Sequence, residues 1–213
     1  DWGEVGEWYY QLFEPQLSPS PGIMYQAKKI MGRTVTKKER VAAVYRLVER
    51  TIRYVGIEFG IGAYQPRPAS STMAQRQGDC KDMTALMVAL LAEMGIPAYA
   101  ALVRPSDQGI FVTEHPSPGQ FSHVLLYVPL TDGELWLDAT AGMATLGAIP
   151  SALRGQLALI VNRDGGRLER IPNASPEKHK LVEKRTYNLN MTGGGQITTT
   201  IDLTGDLAGM SRQ

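Results

Sequence analysis

Three residues of this chain have side chains that together could carry out acyl transfer through a thiol. Cys80 is the only cysteine among the 213 residues, and it follows Gly78 and Asp79 at the start of a strongly apolar helix pattern. His123 follows on a strand-like run and Asp138 on the next one. The free N–H groups and the dipole of a helix N-terminus favour a thiolate. An imidazole can take and return the proton, and a carboxylate can orient the imidazole.

Each of these residues also has a purely structural interpretation. A lone cysteine can be an inert apolar core residue, and a histidine on a strand can be a satisfied core residue. Asp138 can cap a strand end or bind the turn that follows through Thr140. The neighbours of Cys80 are Gly, Asp and Lys rather than apolar residues, which favours the reactive interpretation of the thiol.

The residues around these three have structural or supporting roles in the prediction. Asp79 is expected to be the N-cap of the nucleophile helix, and Asp82 a first-turn partner of the helix dipole. Lys81 is expected to be solvated. Trp136 shares the strand face of Asp138, where it either walls a pocket or packs in the core.

Composition excludes several classes of function. With 22 basic and 21 acidic residues the net charge is +1, so no overall field recruits nucleic acid or an anionic membrane. No apolar stretch reaches the length of a membrane span. Three scattered histidines and one cysteine offer no metal-ligand spacing, and Gly60-Ile61-Gly62 lacks the context of a nucleotide loop. We therefore expect no metal and no cofactor.

Apolar periodicity predicts helices first and strands afterwards. The helical patterns cover 2–13, 21–31, 37–54 and 80–94, and the last is apolar around its whole circumference, so it should be central. Two long loops are candidate cleft walls, 55–70 and 107–120. The period then changes to two in five short strands, at 98–103, 121–128, 134–138, 157–161 and 167–171. This order predicts an α+β fold with an antiparallel sheet packed on the Cys80 helix.

The mechanism sets a condition on the hairpin that carries His123 and Asp138. If the two residues lie directly opposite each other, the connection is a wide loop at about 128–133. A tight turn at Asp132-Gly133 would instead separate them by roughly 13 Å along the strand. We expect the wide loop, against local turn propensity.

The chain divides into three predicted segments. Residues 1–35 form an N-terminal helical segment, and 36–172 form the catalytic core. Residues 173–213 form a polar linker and a long hairpin pattern, which we interpret as the start of a truncated C-terminal β domain or as a hairpin docked on the first domain. The sequence begins at Asp1 without an initiator Met or a signal-peptide pattern, so we expect it to be an excised piece.

Three short segments resemble the signature of the transglutaminase-like superfamily. They are Gly-Asp-Cys-Lys-Asp at 78–82, Phe-Ser-His-Val at 121–124 and Trp-Leu-Asp-Ala-Thr at 136–140. The chain is more narrowly similar to a bacterial subgroup in which this core lies between two β domains of unknown function.

The resemblance implies a papain-like core with Cys80 as nucleophile, His123 as general base and then acid, and Asp138 as orienter. The first oxyanion donor would be the Cys80 backbone N–H, and Gln77 is the candidate for the second, which a Tyr or Trp near the pocket could replace. The resemblance also implies a periplasmic, secreted or cell-envelope location.

Three functions remain open at this point. The first is a thiol hydrolase that cleaves an amide bond in a peptide or protein substrate. The second is a transglutaminase, in which an amine rather than water resolves the same acyl-enzyme. The third is a binding or scaffold module without turnover, which the presence of all three residues disfavours.

Overall fold

The computed structural model describes residues 1–56, 60–142, 146–173 and 180–204. The chain divides into two compact units, Asp1–Pro172 and Asn173–Gln213. The helices of the predicted N-terminal segment therefore lie in the same unit as the predicted catalytic core. Among the described residues, no helix combines the length and the apolarity needed to cross a membrane.

Five α-helices are present in the described part of the first unit. They are α1 (Trp2–Phe13), α2 (Pro21–Met31), α3 (Lys37–Thr51), α4 (Ala69–Gln75) and α5 (Cys80–Ala92). Side-chain caps explain several of the boundaries. Thr36 and Glu39 form a capping box at the start of α3, as the sequence predicts, and Ser20 caps α2, which has proline at its first position.

Seven strands lie in the described residues of the same unit. They are β1 (Arg53–Tyr54), β2 (Gln77–Gly78), β3 (Tyr99–Val103), β4 (His123–Leu130), β5 (Gly133–Leu137), β6 (Leu157–Asn162) and β7 (Gly165–Arg170). The first two form a short parallel pair. The other five form one antiparallel sheet in the order β5-β4-β3-β6-β7.

Helix α5 occupies the centre of this unit. Every residue from Cys80 to Leu91 is buried, as expected for a helix that is apolar on all sides. It contacts β3 and β4 on the sheet and packs against α2, α3 and α4. The α+β fold with a central nucleophile helix on an antiparallel sheet is confirmed.

Both faces of the five-stranded sheet are covered. Leu102, Leu126 and Leu159 belong to the apolar cluster that contains α5. Alternate residues of the same strands point to the opposite face and form a second cluster with the segment around Leu153. Its members on the sheet include Val103, Leu125, Tyr127, Trp136 and Ile160.

The predicted register of the β4–β5 hairpin is wrong. Leu130 pairs with Gly133, so the connection has only two residues, Thr131 and Asp132, rather than the wide loop. This register sets the position of Asp138 opposite Leu125, two residues along the strand from His123. A diagonal pair of this kind stays on one face and within reach of long side chains, so direct opposition is not required.

Helix α1 lies on the β6–β7 hairpin through a contact between glycines. A Cβ atom added to Gly6 would lie 2.3 Å from both the Cα and the N atom of Gly166. Because these are backbone atoms, they cannot move away as a flexible side chain could. The absence of a side chain at Gly6 therefore allows the helix to approach the hairpin closely.

The second unit contains a separate antiparallel hairpin. Its strands, β8 (Leu181–Leu189) and β9 (Gly195–Leu203), pair along their full length. Most of its apolar side chains are exposed, including Leu189 and Ile197. Two strands alone do not form a core, which agrees with the marginal stability of isolated hairpins.

We expect Gly6→Ala to destabilise the first unit by about 1–3 kcal/mol, because the added methyl group overpacks a backbone contact. Urea unfolding followed by circular dichroism measures the change. Gly3→Ala on the same helix is the matched control, since its Cβ would meet only the side chain of Asp1, at 3.0 Å. The control should be as stable as the wild type or more stable. Equal stability of the two variants would contradict the expectation.

Candidate active site

The thiol of Cys80 lies at the first turn of the central helix. Asp79 is the N-cap of α5, and its side chain accepts a hydrogen bond from the backbone N of Asp82. The carboxylate of Asp82 accepts in return from the backbone N of Asp79, which completes a capping box. Cys80 is the first residue inside this cap, and its side chain is 6% exposed. The predicted N-cap role of Asp79 is confirmed.

His123 and Asp138 meet at one end of the sheet. His123 is the first residue of β4, and Asp138 directly follows the last residue of β5, its antiparallel neighbour. The Nε2 atom of His123 lies 2.9 Å from Oδ2 of Asp138. The side chain of His123 also interacts with the thiol of Cys80. Since Nε2 contacts the carboxylate, Nδ1 is the nitrogen available to the thiol.

The surroundings of His123 favour its charged form. Burial disfavours the charge, but the hydrogen bond to Asp138, the interaction with Cys80 and the negative charges of both outweigh it and raise the pKa of His123 from 6.5 to about 10. The pKa of Asp138 shifts in the opposite direction. Burial disfavours its charge, yet His123 and Thr140 lower the pKa of its carboxyl. The pair is therefore an imidazolium and a carboxylate at neutral pH.

Asp138 is held by further contacts as well. Its Oδ1 atom accepts from the backbone N of Thr140 at 2.9 Å and from the Thr140 hydroxyl at 2.7 Å. Its backbone carbonyl accepts from the Tyr45 hydroxyl of α3 at 3.2 Å. Asp138 thus binds the turn through Oδ1 and contacts His123 through Oδ2.

Two acidic side chains beside the thiol are each paired with a cation. Lys81 contacts Asp79 in a buried ion pair, and only 3% of Lys81 is exposed. The expectation that Lys81 is solvated was wrong, because its partner is the buried N-cap carboxylate. Arg67 donates from Nε to Oδ2 of Asp82 at 2.9 Å. Without these cations, two carboxylates would oppose a thiolate through like-charge repulsion.

A cleft with a volume of about 210 Å³ opens over Cys80 and His123. Both predicted cleft walls contribute to it. Ala63 and Tyr64 come from the loop after α3, and Pro118 comes from the loop before β4. The rest of the lining comes from helix α1, helix α5 and the strand ends: Trp8, Tyr9, Lys81, Leu102, Phe121, Ser122 and Val124.

Two predicted supporting residues are not among the described residues that line this cleft. The side chain of Gln77 accepts a hydrogen bond from Arg53 at 3.4 Å, and its backbone carbonyl accepts from Arg67 at 2.6 Å. Trp136 is 3% exposed and packs in the second apolar cluster, where its Nε1 donates to Glu134 at 2.9 Å. Gln77 thus contributes to the Arg67 contacts, and Trp136 to the core.

Sequence reasoning missed Trp8 and Tyr9. Both lie on α1, more than seventy residues before Cys80, and both line the cleft. Their spacing fits the apolar face of an ordinary amphipathic helix, and this pattern indicates helix packing rather than a cleft. Only the position of α1 on the β6–β7 hairpin brings them to the thiol.

A family model described as the transglutaminase-like superfamily matches residues 25–140, which is more than half of the chain. This chain belongs to the transglutaminase-like superfamily. The match includes Cys80, His123 and Asp138, and it confirms the resemblance that the three short segments indicated. Membership supports a thiol enzyme of the papain-like type.

A solved structure shares the fold of this chain. A putative protease from Parabacteroides distasonis superposes with a TM-score of 0.61 at 15% identity, over 89% of this chain and 38% of that protein. A putative cysteine protease from Cytophaga hutchinsonii gives a TM-score of 0.47 at 16% identity, over 91% of this chain and 55% of that protein. The chain thus spans less than two thirds of the length of either. No curated protein sequence matches it.

The raised pKa of His123 predicts a pH-dependent contribution to stability. Because the folded value of about 10 exceeds the ordinary 6.5, this contribution is complete below pH 6.5 and is lost as the pH rises through about 10. Asp138→Asn removes a negative charge that raises the pKa of His123. We expect the free energy of unfolding of the variant to fall below that of the wild type, by an amount that shrinks across this window.

Urea unfolding at several pH values measures this difference. Asp132→Asn is a suitable control, because Asp132 is exposed in the turn of the same hairpin. Its difference from the wild type should not change across the window. A difference for Asp138→Asn that stays constant or grows with rising pH would contradict the coupling.

The contact between His123 and Cys80 predicts a reactive thiol. At neutral pH, iodoacetamide should alkylate Cys80 at least ~10-fold more slowly in His123→Ala, because the variant lacks the imidazolium that stabilises the thiolate. Mass spectrometry of the intact protein follows the reaction. His115→Ala is the control, since His115 is exposed in a loop. Equal rates in the wild type and His123→Ala would mean that the thiol is not activated.

Proposed function

We propose that this chain is a thiol-dependent hydrolase that cleaves an amide bond in a peptide or protein substrate. One observation carries the proposal. The imidazole of His123 hydrogen-bonds the carboxylate of Asp138 and interacts with the thiol of Cys80, and His123 and Cys80 line one cleft. A nucleophile, a proton carrier and an orienting group in this order are the parts that thiol-based acyl transfer requires.

In the first half of the reaction, the thiolate sulfur of Cys80 attacks the carbonyl carbon of the substrate. A C–S bond forms, and the π pair of the carbonyl moves to its oxygen. When this pair returns, the C–N bond breaks, and the imidazolium of His123 donates its proton to the leaving amine. The products are a thioester on Cys80 and a neutral imidazole.

In the second half, water resolves the thioester. His123 removes a proton from the attacking water, a C–O bond forms, and the tetrahedral intermediate expels the thiolate. The acid is released, and the imidazolium beside the thiolate is restored. The contact with Asp138 keeps the ring oriented through both halves, because its carboxylate is fixed by Thr140 and by the backbone.

Transamidation is the second candidate, since an amine could resolve the same thioester. The name of the structurally similar Parabacteroides distasonis protein, a putative protease, favours hydrolysis. This support comes from a shared fold, so the choice between water and an amine rests on the experiment below.

The lining of the cleft suggests what the substrate carries near the scissile bond. Most of the lining is aromatic or aliphatic, with Trp8, Tyr64, Leu102 and Phe121 among its residues. Of the two cations in the lining, Lys81 is paired with Asp79 and His123 with Asp138. We therefore propose that an apolar side chain binds here in preference to a charged one. We also propose that the protein is periplasmic, secreted or located in the cell envelope.

Incubation with a peptide library, with and without an added primary amine, tests the function. We expect new peptide termini that form at the same rate with or without the amine, with apolar residues enriched beside the cleaved bond. Mass spectrometry identifies both products, and Cys80→Ala should abolish them. Loss of ammonia with incorporation of the amine would instead establish a transglutaminase. Absence of both products in the wild type would favour a binding module.

A further inference from the structure

The hydroxyl of Tyr9 is buried beside the thiol and has no hydrogen-bond partner among the described residues. Tyr9 is 2% exposed and lines the cleft together with Cys80 and His123. The charges that act on it most strongly are those of Cys80, Asp79 and Asp82, all at the N-terminal turn of α5. The hydroxyl therefore lies close to the turn that carries the nucleophile.

This hydroxyl stays protonated in the resting protein. Burial, followed by the negative charges of Cys80, Asp79 and Asp82, raises the pKa of Tyr9 well above its ordinary value of 10.0. A protonated phenol is a hydrogen-bond donor. Because these neighbours disfavour its ionisation, the Tyr9 hydroxyl remains a hydrogen-bond donor. It lies beside the site where negative charge develops during attack.

A buried hydroxyl without a hydrogen-bond partner lowers the stability of the folded protein. Removing a hydroxyl from water without a replacement hydrogen bond costs about 1–3 kcal/mol. Phenylalanine has the same ring without the hydroxyl, so it would keep the stacking of Tyr9 on Phe13 without this cost. The hydroxyl is thus available for a partner that is present only when substrate is bound.

We infer that the Tyr9 hydroxyl is the second oxyanion donor of this site, beside the backbone N–H of Cys80. The inference rests on the proposed function, since it assigns a role in the same acyl-transfer step. It replaces Gln77, whose side chain contacts Arg53. Cys80 is the first residue of α5, so its N–H has no acceptor within the helix and is free to donate.

The step concerned is the attack of the thiolate on the carbonyl carbon. As the C–S bond forms, the π pair moves to the carbonyl oxygen, and the Tyr9 O–H donates a hydrogen bond to this oxyanion without transferring its proton. The bond is released when the carbonyl is restored and the amine leaves. Donors of this kind stabilise the transition state more than the ground state, so their loss lowers the rate of acylation.

Two small reagents separate this role from the activation of the thiol. Acylation of Cys80 by p-nitrophenyl acetate passes through a tetrahedral oxyanion, whereas alkylation by iodoacetamide does not. Release of p-nitrophenolate and mass spectrometry measure the two rates. Tyr9→Phe is the test variant. Tyr10→Phe is the matched control, because Tyr10 is the next residue of the same helix and its charged neighbours are Glu14, Arg163 and Asp164.

For Tyr9→Phe we expect acylation to fall about 10²-fold, in the range found when one oxyanion donor is removed. Alkylation should be unchanged, because the Cys80–His123 pair is intact. The stability of the variant in urea should equal or exceed that of the wild type, since the lost hydroxyl has no partner within the protein. Tyr10→Phe should match the wild type in both rates.

Three results would overturn the inference. Equal acylation of Tyr9→Phe and the wild type would remove the role of Tyr9 while leaving the proposed function intact. A fall in acylation and alkylation together, with lower stability, would mean that Tyr9 acts only in packing. A wild type that is alkylated but never acylated would refute the proposed function, and the role of Tyr9 with it.

Discussion

The burial of helix α5 from Cys80 to Leu91 is the constraint on which the rest of the structure depends. A helix that is apolar on every side requires apolar neighbours on every side, and the sheet and helices α2, α3 and α4 provide them. At the N-terminal turn, Cys80 and Lys81 line the cleft. The strands that carry His123 and Asp138 belong to the same packing, so the geometry of the site follows from the geometry of the core.

The first turn of α5 illustrates how a reactive group is kept next to strong structural charges. The helix cap requires acidic side chains, while a thiolate requires that nearby negative charge be neutralised. Asp79 and Asp82 satisfy the first requirement, and Lys81 and Arg67 satisfy the second. Arg67 also donates its backbone N–H to Asp82 at 2.7 Å, so one residue joins the loop wall of the cleft to the nucleophile helix.

How much could be predicted from the sequence differed between local and tertiary features. Apolar periodicity and caps located the central helix and the five strands of the main sheet to within a few residues, because these signals are local. The short helix α4, with two serines and a threonine, lacks such a pattern. The predicted register of the β4–β5 hairpin is wrong because the prediction considered only direct opposition of His123 and Asp138, not a diagonal contact. The buried state of Lys81 and the position of Tyr9 depend on distant segments, which no local pattern records.

Because helix α1 forms part of the cleft, the smallest complete form of this domain includes α1. The family model ends at Thr140 and begins within α2, so it omits α1 and the β6–β7 hairpin on which α1 lies. A protein cut at those limits would keep Cys80, His123 and Asp138, yet it would lose one wall of the cleft and two of the five sheet strands. The segment that the family model matches thus carries Cys80, His123 and Asp138, while helix α1 outside it contributes Trp8 and Tyr9 to the cleft over Cys80 and His123.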